Sequence, residues 1–253
     1  MFELRNFRGS CWVNTCLQAV FRIPEVQHRY NSRTFEHGNI IDECLCKIWT
    51  TKGEEGLKPF FDAVRTSLMP AGNGIGDAHE LWVFLCDKLP FLDEMVRFKM
   101  GRSLECNNCK DKEMKSEAVT EFTISTNEKQ KQLIDCISEA VTETEIAERT
   151  CEKCKTNGCK SQQLIGTFPK VMIFHMLPTN GSINYPSKLV LNKINYALIS
   201  VSCYNGHWWG YGRDMPPGSS WYTLDDTRVQ SHGPDQFPLS DKMRLTIYYR
   251  LEN

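Results

Sequence analysis

The chain has 253 residues, of which 41% are hydrophobic and 24% charged, and its formal net charge is −1. These values predict a soluble globular protein with one large domain or two lobes, and the near-neutral charge argues against a nucleic-acid-binding protein. No apolar stretch is long enough to cross a bilayer, and no secretory signal begins the chain. Twelve cysteines without such a signal favour a reducing, cytoplasmic location.

Residues 1–100 are predicted to form a mainly helical lobe. Apolar residues recur at helical spacing in four segments, the last of which follows Asp77, a suitable N-cap. Pro24 is predicted to end the first helix. The predicted helices are 12–21, 40–49, 56–68 and the segment after residue 77.

The rest of the chain is predicted to be an insert followed by a β-rich lobe. The insert, residues 101–165, contains strand-like alternation at 118–124 and a helical piece at 132–141. The lobe over residues 166–253 contains short apolar segments separated by turn residues. The predicted strands are 163–168, 171–177, 188–191, 196–204, 208–211, 221–224 and 245–250. This order predicts an α+β fold with a cleft between its lobes.

Cys11 is the candidate nucleophile, because it begins the first predicted helix. A helix N-terminus stabilises a thiolate, and its free N–H groups can bind the oxyanion of a tetrahedral intermediate. Asn6 lies five residues earlier and can add a side-chain amide donor to the same oxyanion hole. The other interpretation is a buried structural thiol, which we assign to Cys16, Cys44, Cys46, Cys86 and Cys203.

His207 is the candidate base, and Asp225 is the carboxylate predicted to orient it. Gly206 lets the backbone before the histidine approach a substrate closely. Trp208 and Trp209 point to opposite faces of one strand, so that one is core and the other can line the cleft. The remaining apolar-strand histidine, His175, is interpreted as a core residue with satisfied hydrogen bonds.

Four cysteines in the insert have metal-ligand spacing. Cys106 and Cys109 form one Cys-x-x-Cys pair, Cys151 and Cys154 form another, and together they can bind one tetrahedral zinc ion. The zinc would be structural, since four thiolates leave no position for water. Cys159 is a possible substitute ligand, and a set of free surface thiols is the other interpretation.

The sequence resembles the ubiquitin-specific protease family in four blocks. Asn-Phe-Arg-Gly-Ser-Cys-Trp-Val-Asn-Thr at 6–15 resembles the family's Cys box, and Gly-Asp-Ala-His-Glu-Leu at 76–81 resembles its Gln-Asp-Ala-His-Glu-Phe block. The long strand at 168–175 and the His box at 206–208 and 221–226 also match. The resemblance implies a papain-like cysteine protease with a helical thumb, zinc-binding fingers and an antiparallel β palm.

The same resemblance implies an isopeptidase that removes ubiquitin, or a ubiquitin-like modifier, by cleavage after a C-terminal Gly-Gly. It assigns Asp225 to the triad and implies that Asp226 assists at the oxyanion or through a water molecule. Asp77 and Glu80 would meet the basic tail of ubiquitin, although helix capping is an equally good interpretation of these residues. Trp208 and the loop 213–220 would make a narrow cleft that admits glycines.

Departures from the family pattern leave the origin and the activity open. Trp12 stands where the family has Tyr, and Gly76 stands where it has Gln. The Cys-Trp-Val-Asn sequence is closer to papain-like proteases of nidoviruses and toroviruses, which indicates a viral protease that also processes a polyprotein. The alternatives are a catalytically weak ubiquitin-binding module of the same fold and a protease for peptide bonds only.

Overall fold

A computed structural model of the chain describes residues 1–69, 75–215, 218–234 and 242–252. Within these ranges, no helix is both long enough and apolar enough to span a membrane. The helices are α1 (Cys11–Val20), α2 (Pro24–Asn31), α3 (Ile40–Thr50), α4 (Leu57–Leu68), α5 (Ala78–Lys88), α6 (Pro90–Val96) and α7 (Leu133–Val141).

The predicted helices are confirmed as α1, α3, α4, α5 and α7, but the interpretation of Pro24 was incomplete. The first helix ends at Val20, and Pro24 then occupies the first position of α2. Proline is favoured there, because the first N–H of a helix has no intrahelical partner and the fixed φ suits a helical turn. Pro90 begins the unpredicted α6 in the same way.

Most of the strands lie in the second half of the chain, as predicted. They are β1 (Phe98–Cys106), β2 (Lys112–Val119), β3 (Phe122–Ile124), β4 (Lys131–Gln132), β5 (Thr144–Thr150), β6 (Asn157–Ile165), β7 (Val171–Met176), β8 (Ile183–Asn184), β9 (Lys188–Leu191), β10 (Ile194–Tyr204), β11 (Trp208–Gly212), β12 (Tyr222–Asp225), β13 (Arg228–Ser231) and β14 (Met243–Arg250).

The largest sheet has the order β13-β12-β11-β10-β14-β7-β3, with β9 also paired to β10. Its strand pairs are antiparallel except for β3 and β7. Both faces are covered. In β7, Val171 and Ile173 pack into the helical core, whereas Met172 and Phe174 pack into a second core with α7 residues. Successive side chains of β7 point to opposite faces of the sheet, so this one strand contributes to both cores.

A second sheet, in the order β2-β1-β6-β5, carries the paired cysteines. It begins at Phe98, so that the predicted lobe boundary after residue 100 falls inside β1. The strand predicted at 118–124 is also divided between β2 and β3, which belong to different sheets. The division into three lobes otherwise stays a prediction.

Helix α1 is the central element between the helices and the large sheet. All ten of its residues are buried, as expected for a helix covered on every side. It packs against β11 and β12 of the sheet and against α5. The first residue of α1 is therefore held next to the strands that carry the candidate base.

Candidate active site

Cys11 is the first residue of α1, and a tight turn positions it. The side-chain carbonyl of Asn6 accepts hydrogen bonds from the N–H groups of Gly9 and Ser10, at 3.0 and 3.2 Å. The hydroxyl of Ser10 in turn accepts one from the N–H of Phe7, at 2.8 Å. These bonds fix the path by which the chain enters the helix, and with it the position of the thiol.

The structure brings His207 and Asp225 together as the sequence predicted. His207 directly precedes β11, Asp225 ends β12, and the two strands are paired. His207 Nε2 lies 2.6 Å from Asp225 Oδ1. When this nitrogen carries the proton shared with Asp225, Nδ1 is left as the nitrogen that can accept a proton from a thiol.

Asp226 lies beside the imidazole without a hydrogen bond to it, because its Oδ2 is 3.9 Å from His207 Nε2. Its carboxylate instead accepts hydrogen bonds of 2.7 Å from the side-chain amides of Asn6 and Asn14. Asn6 thus uses one of its two amide hydrogens on Asp226, and only the other can serve an oxyanion. The sequence analysis missed Asn14, although it lies in the Cys box one helical turn after Cys11.

The thiol of Cys11 is buried in this state and is not bonded to the base. Burial is the main cause that raises its pKa, and the N–H of Trp208 is the main group that opposes the rise. Among the contacts between described residues, none joins Cys11 Sγ to the His207 ring. The resting protein therefore has an imidazole that is oriented by Asp225 and a buried thiol whose ionisation is disfavoured.

We expect alkylation of Cys11 by iodoacetamide to accelerate with pH to an unusually high midpoint. A raised pKa means that a smaller fraction of the thiol is ionised at each pH, so the midpoint should lie above about 8.5, the value of an ordinary cysteine. Peptide mass spectrometry at each pH would follow Cys11 separately from the other eleven cysteines. A midpoint near 6 would instead reveal a preformed thiolate–imidazolium pair.

Two of the predicted substrate-binding residues have other contacts in the structure. Trp208 is only 3% exposed, and its indole Nε1 donates to the carbonyl oxygen of Gly76, at 3.1 Å. Trp208 therefore supports the site from beneath and does not form an open wall of the cleft. The prediction that it lines the cleft is wrong on this point. Asp77 caps α5 by accepting from the N–H of His79 at 2.6 Å, so the capping interpretation describes its main contact.

The other predicted substrate contacts stay predictions. Glu80 is exposed in the first turn of α5. Gly206 has a φ of +74° and open space where a Cβ would lie, so glycine is needed here for the backbone conformation. The predicted cleft loop 213–220 falls partly on residues 216–217, which lie outside the described residues. Arg213 is buried over the ring of Trp221.

The two departures from the family pattern meet in the structure. The ring of Trp12, 1% exposed, fills the space above Gly76, where an added Cβ would lie 2.6 Å from the ring atom Cε2. The larger aromatic residue after the nucleophile thus requires glycine at the facing position. The Gly76 carbonyl also binds Trp208, so this contact joins the Cys box to the His box.

The four paired cysteines converge at one end of the second sheet. Sγ atoms of Cys106 and Cys154 are 3.6 Å apart, and those of Cys109 and Cys151 are 3.7 Å apart. All four sulfurs lie within 4.8 Å of one another. Hydrogen bonds from the hydroxyl and N–H of Thr156 lower the pKa of Cys154 to about 5, which favours a thiolate.

The other cysteines and histidines separate into core residues and one unexpected cluster. The five cysteines assigned to the core are all buried. His175 is partly buried, but it is not an isolated core residue, because its ring stacks on that of His79 with centroids 3.6 Å apart. Burial and His79 lower the pKa of His175. The sequence analysis did not foresee this contact.

Comparison with protein families finds one that covers nearly the whole chain. The sequence model of the family described as ubiquitin carboxyl-terminal hydrolase matches residues 2–244. A comparison with curated proteins found no significant match.

Solved structures with the same fold include the Ubp8 SAGA DUB module. With its Ubp8 complex bound to monoubiquitin, the TM-score is 0.85 at 16% identity, covering 100% of this chain and 69% of that one. With the complex bound to ubiquitin aldehyde, the TM-score is 0.80 at 16% identity, covering 100% and 70%. A yeast SAGA DUB module gives 0.82 at 16% identity, covering 100% and 69%. None of these matches supports a viral origin or polyprotein processing.

Proposed function

The chain belongs to the ubiquitin carboxyl-terminal hydrolase family and is a cysteine-type hydrolase that removes ubiquitin, and we propose that Cys11, His207 and Asp225 carry out this reaction in a papain-like arrangement. The observation that carries the proposal is the 2.6 Å contact between His207 Nε2 and Asp225. His207 directly precedes β11 and Asp225 ends β12, and both strands pack against the helix that Cys11 begins. The contact with Asp225 leaves His207 Nδ1 as the base.

The reaction would proceed through a thioester. His207 Nδ1 takes the proton of Cys11, and the thiolate attacks the carbonyl carbon of the ubiquitin C-terminal glycine. The imidazolium, held by Asp225, then gives the proton to the departing lysine amine. Water, deprotonated by the same nitrogen, hydrolyses the thioester and restores the thiol. No contact joins the thiol to the imidazole among the described residues, and burial raises the Cys11 pKa, so we propose that substrate binding brings the two groups together.

The oxyanion would be stabilised by the N–H of Cys11 and the remaining amide hydrogen of Asn6. Asp226 binds Asn6 and Asn14 at once, and through them it holds both the entry turn and the first turn of α1. We therefore propose that Asp226 positions the oxyanion donor, whereas Asp225 orients the base.

The four paired cysteines would hold a structural zinc ion. Zn–S bonds of about 2.3 Å in a tetrahedron place sulfurs about 3.8 Å apart. The Cys106–Cys154 and Cys109–Cys151 separations, 3.6 and 3.7 Å, fit that value. The site joins the β1–β2 and β5–β6 turns. Zinc would thus fix the tip of the sheet β2-β1-β6-β5, the fingers sheet, and take no part in bond cleavage.

Replacing Cys151 with Ser is expected to remove this zinc and to lower Tm by at least about 5 °C, since a structural zinc site contributes several kcal/mol. Metal analysis and thermal unfolding would measure both effects. Cys159→Ser is the matched control. Cys159 faces Cys106 across the sheet, but it is not among the four convergent thiols. Loss of zinc in the control variant would make Cys159 a ligand.

We propose ubiquitin as the partner, because the solved relatives are bound to it. A cavity of about 740 Å³ lies between the fingers sheet and β3, lined by Met100, Arg102, Lys115 and Phe122 among others. It offers apolar and basic side chains together with the carboxylates of Glu117 and Glu121. The chain has twelve cysteines, four of which converge as possible metal ligands, and this use of cysteine supports a reducing compartment such as the cytoplasm as the location.

A ubiquitin probe with a C-terminal electrophile tests this function. We expect the wild-type protein to form a covalent adduct with ubiquitin and the Cys11→Ala variant to form none. The variant should still bind unmodified ubiquitin, which shows that it is folded. Binding without labelling of the wild-type protein would favour the ubiquitin-binding module.

The preference for a protein substrate needs a separate comparison. We expect the kcat/KM for a ubiquitin C-terminal amide to exceed that for a short Gly-Gly peptide amide by at least about a hundredfold, because the ubiquitin body contributes binding energy that the peptide lacks. Equal values would identify a protease for peptide bonds only.

A further inference from the structure

A cluster of three possible metal ligands lies outside the catalytic site and the four cysteines. His79 is on α5, Glu121 is in the link between β2 and β3, and His175 is on β7. Their ligand atoms all lie within 4.8 Å of one another. Three segments that are distant in the sequence thus meet at one point, where the helical lobe, the fingers sheet and the large sheet join.

The geometry of the cluster places two imidazoles and one carboxylate side by side. The rings of His79 and His175 are stacked at 3.6 Å with only 11° between their planes. Glu121 Oε1 is in contact with His79 Nε2 and lies 3.9 Å from His175 Nδ1. Ring nitrogens from both histidines therefore face the same carboxylate.

The carboxylate of Glu121 is not fully compensated by the protein. The side chain is only 16% exposed, and its Oε2 atom is buried without a hydrogen-bond partner. Among the described residues, no lysine or arginine forms an ion pair with it. A buried anionic oxygen without a partner is costly, so the cluster is suited to a cation that uses this oxygen.

We propose that His79, Glu121 and His175 form a second metal site, which binds a divalent transition metal with the donor preference of zinc. Two imidazole nitrogens and one carboxylate oxygen are a donor set that zinc uses when its fourth position is open to water. Bonds of about 2.0–2.1 Å require donor atoms about 3.3 Å apart. The nearly parallel stack keeps the lone pairs of the two rings from converging on one ion, so binding would require one imidazole to turn out of the stack. The Glu121 carboxylate would also have to shift by about 1 Å from His79 toward His175.

Occupation of the site would fasten α5 to the large sheet near the catalytic centre. His79 lies three residues after Gly76, whose carbonyl accepts the Trp208 indole beside His207. The metal would thus restrain a segment that supports the base. The site is open to solvent on one side, so the ion would exchange faster than one held by four cysteines.

Equilibrium dialysis of the full chain against buffered Zn²⁺, followed by metal analysis, tests the site. We expect His175→Gln and Glu121→Gln each to bind one zinc fewer per chain than the wild-type protein. His28→Gln, at an exposed histidine of α2, is the matched control and should keep the full number. The readout is a difference, so it does not depend on the occupancy of the four-cysteine site.

Labelling by the ubiquitin probe in each variant reports whether the active site has folded. For a folded variant, an unchanged zinc count overturns the proposal and leaves a hydrogen-bonded cluster only. A variant that fails to label is replaced by His79→Gln, at the solvent-side ligand. The same loss of one zinc in that variant would support the site, and an unchanged count would refute it.

Discussion

Asp225→Ala is expected to lower kcat for ubiquitin hydrolysis by about a thousandfold, because it removes the acceptor that holds His207 in the productive tautomer. Ubiquitin affinity, measured in a Cys11→Ala background, should change less than about twofold. The reason is the 2.6 Å contact from His207 Nε2 to Asp225. Without it, the exposed imidazole can turn away and present the wrong nitrogen to the thiol.

Asp225→Asn is expected to lose much less activity than the alanine variant. The base needs an acceptor for its Nε2 hydrogen, and an amide oxygen can accept that bond, as in Cys-His-Asn proteases. A series in which the rate falls from Asp to Asn to Ala therefore separates orientation of the imidazole from stabilisation of its charge. Equal losses in both variants would show that the negative charge dominates.

Asp226→Ala is the matched control for the assignment of the neighbouring carboxylates. Its contacts are with Asn6 and Asn14, so we expect a moderate loss of kcat, about 10- to 100-fold, through a displaced oxyanion donor. Alkylation of Cys11 should become somewhat faster at a given pH in this variant, because the Asp226 carboxylate is one of the causes that raise the Cys11 pKa. A larger loss here than in Asp225→Ala would mean that Asp226 is the partner of the base.

The sequence predicted the elements whose residues are buried in a regular pattern. Helix α1 and strand β7 consist almost entirely of buried residues, and such apolar segments are recognisable without a structure. The His box was also predictable, since glycine, histidine, aromatic residues and a later carboxylate occur in a recognisable order. These elements carry the three predicted catalytic residues.

The fingers sheet was predicted poorly because its strands are held by pairing and not by burial. Strand β2, Lys112–Val119, is almost wholly exposed and shows no alternation of apolar residues. Its stability comes from its register with β1, which a local sequence pattern cannot reveal. The four cysteines were found nonetheless, since their spacing is a local signal.

Two contacts between distant side chains were not predicted from the sequence. Asn14 and Asp226 are 212 positions apart, and nothing in either local pattern indicates their bond. The stacking of His79 on His175 is similar, because each histidine has an unremarkable place in its own helix or strand. Such contacts depend on the packing of whole elements, which only the folded chain defines.

Gly76→Ala is expected to destabilise the protein by about 1–3 kcal/mol and to reduce kcat/KM at least about tenfold. The new Cβ would lie 2.6 Å from the buried ring of Trp12, and neither group can move freely. Trp12 follows the nucleophile, and the Gly76 carbonyl holds Trp208. Relief of the clash must therefore displace one side of the active site. Denaturant unfolding and steady-state kinetics would measure the two effects.

We expect Trp12→Tyr to restore part of the stability and of the kcat/KM that Gly76→Ala removes. The smaller ring leaves room for a Cβ, so the double variant should be more stable than the sum of the single changes predicts, with a coupling of about 1–2 kcal/mol. Trp12→Tyr/Gly76→Gln, which recreates the family pair, extends the same test. If the single effects are simply additive, the two departures are independent. A measured coupling would instead show that Trp12 and Gly76 depend on each other in the packing of the active site.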